Sequence, residues 1–319
     1  MVDDHDHVSS CGTQDPVRSP AEHTESPVSP RDPARGGMTN RWWPEPIGPA
    51  RVIVPIVATT ARAAETQARA IASTDAELVE WRADGFAWSG DMVVDAATAV
   101  AVAARLRAIV GRPLIFTWRT RDEGGQAPEA TDDMALWALT GAVADARAAD
   151  LVDVEIRHPL ASGIIERARR AEVPVIGSWH DIHGTPPADA IVATLAVAEA
   201  AGASVAKVAV MPVRAAGILE ALRAPDGPDD DVATLLTATK MRAAVARIPL
   251  VTMSMGRKGL PSRVVGWQFG SQATWATVGP SSAPGQPTLK DLRQYWAASG
   301  GVATDLTGSG LRQDDGPQL

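Results

Sequence analysis

Eight short runs dominated by β-branched and other apolar residues recur along the chain: "RVIVPIV", "AELVEWR", "PLIFTWR", "LVDVEI", "PVIGSWH", "SVAKVAV", "PLVTMSM" and, less regular than the rest, "VVGWQFG". Between them lie longer stretches of strong helix formers, among them "ETQARAIAS", "AATAVAVAARLRAIV", "DDMALWALTGAVADARA" and "ADAIVATLAVAEAAG", the last ending on Gly202, a residue suited to a helix C-cap. Repeated strand and helix units of this kind build a parallel sheet, and eight of them over roughly 250 residues match a (β/α)8 barrel. A doubly wound open sheet is the alternative, but no glycine-rich phosphate fingerprint follows the first strand. The expected fold class is therefore α/β, a (β/α)8 TIM barrel over residues 46–300.

The flanks read differently. Residues 1–45 are rich in Pro, Ser, Asp, Gly and Arg without apolar periodicity and are expected to form a disordered leader; residues 301–319 are expected to form a short flexible tail. The single cysteine, Cys11, allows no internal disulfide, and the first residues lack the basic and apolar segments of an export signal, so a cytoplasmic location is the expectation. A net charge of −8 without a Lys/Arg stripe argues against nucleic acid as partner, and no apolar stretch approaches the roughly 20 residues of a membrane span.

In such a barrel chemistry concentrates at the carboxyl ends of the strands and in the loops that follow. Glu80 and Arg82 close the second run, Arg119 the third and His180 the fifth; Lys207 interrupts the sixth, and Met253 and Met255 close the seventh. Only Lys207, Lys240, Lys258 and Lys290 among the 30 basic residues are lysines, the other 26 being arginines, so a lysine set among valines and alanines needs a reason. One is a buried ion pair or a snorkelling side chain. The sharper one is an imine-forming amine, a task closed to arginine, which stays protonated.

His180 stands where a general acid and base would serve a carbon acid beside an imine, or it is a rim histidine bonded to loop backbone. Its cluster with Asp181 and His183 resembles a metal site at first sight, but prolines follow at 186 and 187 and no further ligands stand at motif spacing, so no metal is expected. Arg119 and Glu123 lie in "FTWRTRDEGG", whose two glycines suggest a tight turn; a plain rim salt bridge remains open for them and is preferred for Arg121 and Asp122. Glu80 and Arg82 share one face of their strand and would be costly inward unless paired or used. Arg263 suits bidentate binding of a carboxylate, and the loop "SSAPGQP", with Ser282 and Gln286, has the composition of a mobile lid.

In this order "VEWRAD", "FTWRTRDEGG", "GSWHD", "AKVAVMP", "TMSMG", "SR" and "SAPGQ" resemble the motifs of type I 3-dehydroquinate dehydratases, from about residue 51 to about residue 295. The resemblance implies a cytoplasmic homodimeric barrel, without cofactor or metal, that converts 3-dehydroquinate to 3-dehydroshikimate by syn elimination of water, a step shared by aromatic biosynthesis and quinate breakdown. It implies that Lys207 forms a Schiff base with the substrate ketone, that His180 is the general acid and base, and that Glu123 supports His180. Glu80, Arg82 and Arg119 match the group that holds the ring hydroxyls, and Arg263, Ser282 and Gln286 the carboxylate side. Trp179 departs from the tyrosine or similar aromatic expected before His180, and the loop after Arg119 is rich in charge. Two other readings compete: another lysine-imine barrel such as a class I aldolase, which has no need of a His180 and Glu123 pair, and a catalytically silent barrel, against which the presence of both Lys207 and His180 counts.

Overall fold

The computed structural model describes residues 42–127, 133–214 and 230–298; the expected tail and nearly all of the expected leader lie outside them. Eight strands, β1 (Arg51–Val57), β2 (Leu78–Arg82), β3 (Leu114–Thr117), β4 (Leu151–Glu155), β5 (Val175–Asp181), β6 (Val205–Val210), β7 (Leu250–Ser254) and β8 (Ala273–Trp275), pair in parallel in the order β7-β6-β5-β4-β3-β2-β1-β8. A parallel bridge from Leu250 to Ser271 brings β7 against the approach to β8, so the sheet nearly closes into a barrel. The helices are α1 (Ala61–Ala72), α2 (Met92–Val110), α3 (Asp133–Asp145), α4 (Ala161–Arg170), α5 (Ala188–Ala200), α6 (Asp231–Ala243), α7 (Leu260–Val265) and α8 (Leu289–Ala298). Side chains satisfy the first free N–H groups of several: Thr60 accepts from Ala63 N, Asp91 from Val93 N and Val94 N, and Asp230 from Ala233 N. Helix α5 ends just before Gly202, which takes φ +89°. None of the helices among the described residues is long and apolar enough to cross a membrane.

The eighth expected strand is a correction. "VVGWQFG" closes α7 and continues as a 3-10 turn, Gly266–Phe269, and the true β8 is the three-residue "ATW" that follows. Pro261 in the first turn of α7 carries its fixed φ where the helix needs no N–H, which favours the helical start. A three-residue strand is too short to show any period.

Side chains alternate across each strand, so every second residue faces the barrel axis. Ile53, Leu78, Ile115, Leu151, Ile176, Val205, Val251 and Ala273, one from each strand, form an apolar floor. Trp43 plugs it from below, buried against this cluster with the Arg51 guanidinium 5.0 Å from its ring centre. Thus Trp42 and Trp43, inside the stretch read as leader, belong to the folded body; a two-residue aromatic pair beside a proline has no periodicity to announce it. Two positions above the floor the same faces carry Glu80, Thr117, Asp153, Ser178, Lys207, Met253 and Trp275, and two positions further stand Arg82, Arg119, Glu155 and His180. Apolar burial at the floor, of order 1.5–3 kcal/mol per large side chain, offsets the cost of a buried polar upper half.

Candidate active site

Lys207 Nζ donates to Asp153 Oδ2 at 3.0 Å and lies 4.5 Å from the ring centre of Trp275. It is fixed there by β6, whose pairing places Lys207 beside Ser178 and Ala209 beside His180, so the histidine stands on the neighbouring strand nearer the mouth. His180 Nδ1 is 2.8 Å from Glu123 Oε2, and the same oxygen accepts from the His180 backbone N–H at 3.1 Å. Because Oε2 already accepts from the His180 backbone and from Arg119 Nη1, it is an acceptor here, which assigns the ring proton to Nδ1 and leaves Nε2 as the basic nitrogen. Burial, then the charges of Arg119, Lys207, Arg82 and Arg263, hold His180 well below its ordinary range and therefore neutral. Burial also pushes Glu123 up to about 8, against the pull of Arg119 and with help from Glu155 and Asp153.

Glu123 reaches His180 because the chain turns sharply after β3. A 3-10 turn spans Arg121–Glu123, and Gly125 N donates to Thr120 O at 2.7 Å. A Cβ on Gly125 would overlap the carbonyl of Arg119, so the close approach requires glycine. The two glycines thus serve the tight turn that the sequence suggested.

Arg119 is the hub of the mouth. Its Nη1 donates to Glu123, Glu155 and Ser178, each at 3.0 Å, and its Nη2 to Asp153 at 2.6 Å. Burial would lower its ionisation, but Asp153, Glu155 and Glu123 outweigh that and raise it. Glu155 in turn accepts from Thr120 N and Oγ1, pinning the start of the loop that carries Glu123. Glu80 is engaged at both oxygens, by Thr117 Oγ1 and by Trp275 Nε1, each at 2.9 Å. Arg82 makes a two-bond fork with Asp84 and donates to Ser282 O at 2.9 Å.

That last bond docks the loop after β8 onto the mouth. Gln286 is buried and accepts from Ser281 Oγ and Ser282 N, while its Nε2 donates to Ser282 Oγ; Gly256 N donates to Pro284 O at 3.0 Å. Beneath it lies Arg263, 2% exposed, whose Nη1 faces the Met253 sulfur at 3.2 Å while Nε and Nη2 have no hydrogen-bond partner among the described residues. Burial lowers Arg263 to about 10. A buried guanidinium with unpaired N–H groups is costly by itself and is chemically suited to an anion that can take those groups.

The structure therefore brings all nine residues singled out in the sequence to one barrel mouth: Glu80, Arg82, Arg119, Glu123, His180, Lys207, Arg263, Ser282 and Gln286. His183 stays apart, exposed, in a turn closed by Asp181 Oδ1, which accepts from His183 N and Gly184 N. No group of three His, Cys, Asp or Glu side chains that could hold a metal ion exists among the described residues. Sequence reading missed Asp84, Asp153, Glu155, Ser178 and Trp275. Asp153 and Glu155 share parity with the floor residue Leu151, which is the signal that finds them.

Residues 52–302 match the family model described as type I 3-dehydroquinase. The 3-dehydroquinate dehydratase of Klebsiella pneumoniae is 36% identical over 250 residues, covering 77% of this chain and 92% of its own. The crystal structure of 3-dehydroquinate dehydratase from Geobacillus kaustophilus superposes with a TM-score of 0.70 at 32% identity, over 80% of this chain and 93% of that one. The type I enzyme of Clostridium difficile, solved with covalently modified comenic acid, superposes with a TM-score of 0.67 at 29% identity, over 79% and 92%.

Proposed function

The chain belongs to the type I 3-dehydroquinase family and is a hydro-lyase, and we propose that it removes water from 3-dehydroquinate through an imine on Lys207, with His180 as general acid and base. The observation that carries this reading is a buried strand lysine in one polar chamber with a neutral histidine whose Nδ1 is tied to Glu123. The Lys207 amine adds to the C3 ketone and the carbinolamine loses water to give a protonated imine. That cation accepts the electron pair released when His180 Nε2 takes the C2 proton. The resulting enamine expels the C1 hydroxyl, which leaves as water with the proton carried by His180, and hydrolysis of the imine frees 3-dehydroshikimate and Lys207.

Glu123 keeps His180 in the tautomer this requires. Arg263, with two unpaired N–H groups, takes the substrate carboxylate, and Ser282 and Gln286 bring the docked loop to the same end. Glu80 and Arg82 face the ring hydroxyls, whereas Arg119, engaged by three carboxylates, acts chiefly by holding Glu123 and Asp153 in place. From the family membership we further propose a cytoplasmic homodimer, and the imine reading calls for neither metal nor organic cofactor, since the electron sink is the protein's own imine. An aldolase reading gains nothing from the His180 and Glu123 pair.

The test is to mix the purified protein with 3-dehydroquinate, follow enone absorbance and reduce with borohydride. The expected product is a stable adduct on Lys207; absence of both adduct and turnover refutes the mechanism. His180→Ala is expected to lower turnover by about 10²- to 10⁴-fold while still permitting an adduct. Equal damage from His183→Ala would show that the two histidines are wrongly sorted.

A further inference from the structure

Lysine is a flexible nucleophile, carrying about 2 kcal/mol of rotamer entropy, so a site that uses its amine gains by holding it still. In this barrel β4 supplies the holder. Asp153, on β4, is fully buried, and its two oxygens are used differently. Oδ1 accepts from Arg119 Nη2 and from Ser178 Oγ, both at 2.6 Å, whereas Oδ2 accepts only from Lys207 Nζ at 3.0 Å. The first pair tethers the carboxylate, and the second oxygen is thereby aimed at the amine. On another side Nζ meets the face of Trp275, whose indole is itself fixed by its bond to Glu80.

We infer that Asp153 is a positioning residue for Lys207: it holds Nζ in the chamber and remains as the fixed counter-anion of the protonated imine. The inference rests on the imine reading above. Counted from the ammonium form, the step forms a C–N double bond and breaks the C–O bond of the ketone, whose oxygen leaves as water with two of the three ammonium protons. The third stays on the imine nitrogen as an N–H⁺ group, which can keep the bond to Asp153 Oδ2. Burial would raise Asp153, but Arg119 and Lys207 outweigh it and bring it down to about 2, so the anion persists through this exchange. The indole face adds a further, weaker attraction for the same cation.

The test compares the full-length wild type with Asp153→Asn, which keeps shape and removes charge. With 3-dehydroquinate at saturation and borohydride present, the rate of adduct formation on Lys207 is expected to fall about 10- to 100-fold, the worth of a hydrogen bond to a charged group, while KM changes less than about 3-fold. An unchanged rate, or a change confined to KM, overturns the inference. Because Asp153→Asn removes a buried anion from between two cations, folding is checked by circular dichroism. If that variant does not fold, Ser178→Ala decides, since it loosens the tether and leaves the Asp153 charge. A slower adduct rate at unchanged thermal midpoint supports the role, and a wild-type rate excludes it. Failure of the wild type to form any Lys207 adduct is separately recognisable as failure of the imine reading itself.

Discussion

Replacing Arg263 by methionine is expected to stabilise the fold and impair the enzyme in one step. The guanidinium is buried, and of its nitrogens only Nη1 has a partner, the weakly accepting sulfur of Met253. No carboxylate opposes its charge, and burial alone lowers it to about 10, a gap from its ordinary value worth about 3 kcal/mol at roughly 1.4 kcal/mol per factor of ten. Methionine keeps an unbranched apolar stem, two atoms shorter in reach, and removes the charge at the cost of some unfilled volume. Part of the cost is relieved in solution by water, so a gain of about 1–3 kcal/mol in the unliganded protein is expected, or a rise of a few degrees in Tm. The same change deletes the buried cation that, among the described residues of the mouth, is alone in lacking a carboxylate partner, and KM should rise about 10- to 150-fold. Urea and thermal unfolding with and without 3-dehydroquinate, together with steady-state kinetics on the enone absorbance, measure both effects. At equal concentration ligand should stabilise the wild type more than the variant. Arg263→Met destabilised by more than about 1 kcal/mol, or binding substrate as the wild type does, would refute the view that this arginine is held in deficit for a ligand.

Two further perturbations follow from the same geometry. Glu123, 9% exposed, is pushed up to about 8 from an ordinary value of 4.5, so the folded state keeps a proton that the unfolded chain has lost; with Oε2 accepting from His180 and Arg119, that proton sits on Oε1. The Glu123 contribution to stability then falls as pH rises between about 4.5 and 8, by at most about 1.4 kcal/mol per pH unit, while His180, held low, contributes a slope of opposite sign below about 6.5; Glu123→Gln removes only the first, and urea unfolding at pH 5, 6.5 and 8 should show the wild type losing ground to the variant. A difference independent of pH would show that Glu123 is ionised throughout. At the lid, Gly285 has φ +74°, and a Cβ there would overlap the Gly256 carbonyl, so Gly285→Ala must shift the loop that delivers Ser282 and Gln286. KM is expected to rise about 10-fold or more, and an unchanged KM would mean that the docked position is irrelevant to binding.

What the chain declares in sequence, and what it hides, divides along physical lines. Strands β1 to β7 are legible because a strand buried on both faces is almost continuously apolar, and Lys207 is legible because such a run, in a chain that otherwise spends arginine, admits no charge without cause. The site residues at strand ends follow from the barrel itself. The failures are of another kind: β8 is too short to carry a period, and its nearest imitation, "VVGWQFG", is apolar for packing in a helix and turn. Arg119 reads as a residue free to grip substrate, yet its partners Asp153, Glu155 and Ser178 lie 34, 36 and 59 positions away, on strands whose approach only barrel closure determines. Asp153 and Glu155 were nevertheless within reach. The parity rule that turns Glu80 and Arg82 inward applies equally to "LVDVEI", and two inward carboxylates on the strand facing an inward arginine and an inward lysine can be buried only as their counter-ions. In the polar upper half of the barrel Arg263 is, among the described buried arginines of the mouth, alone in having no carboxylate partner, and we propose that the substrate carboxylate supplies one.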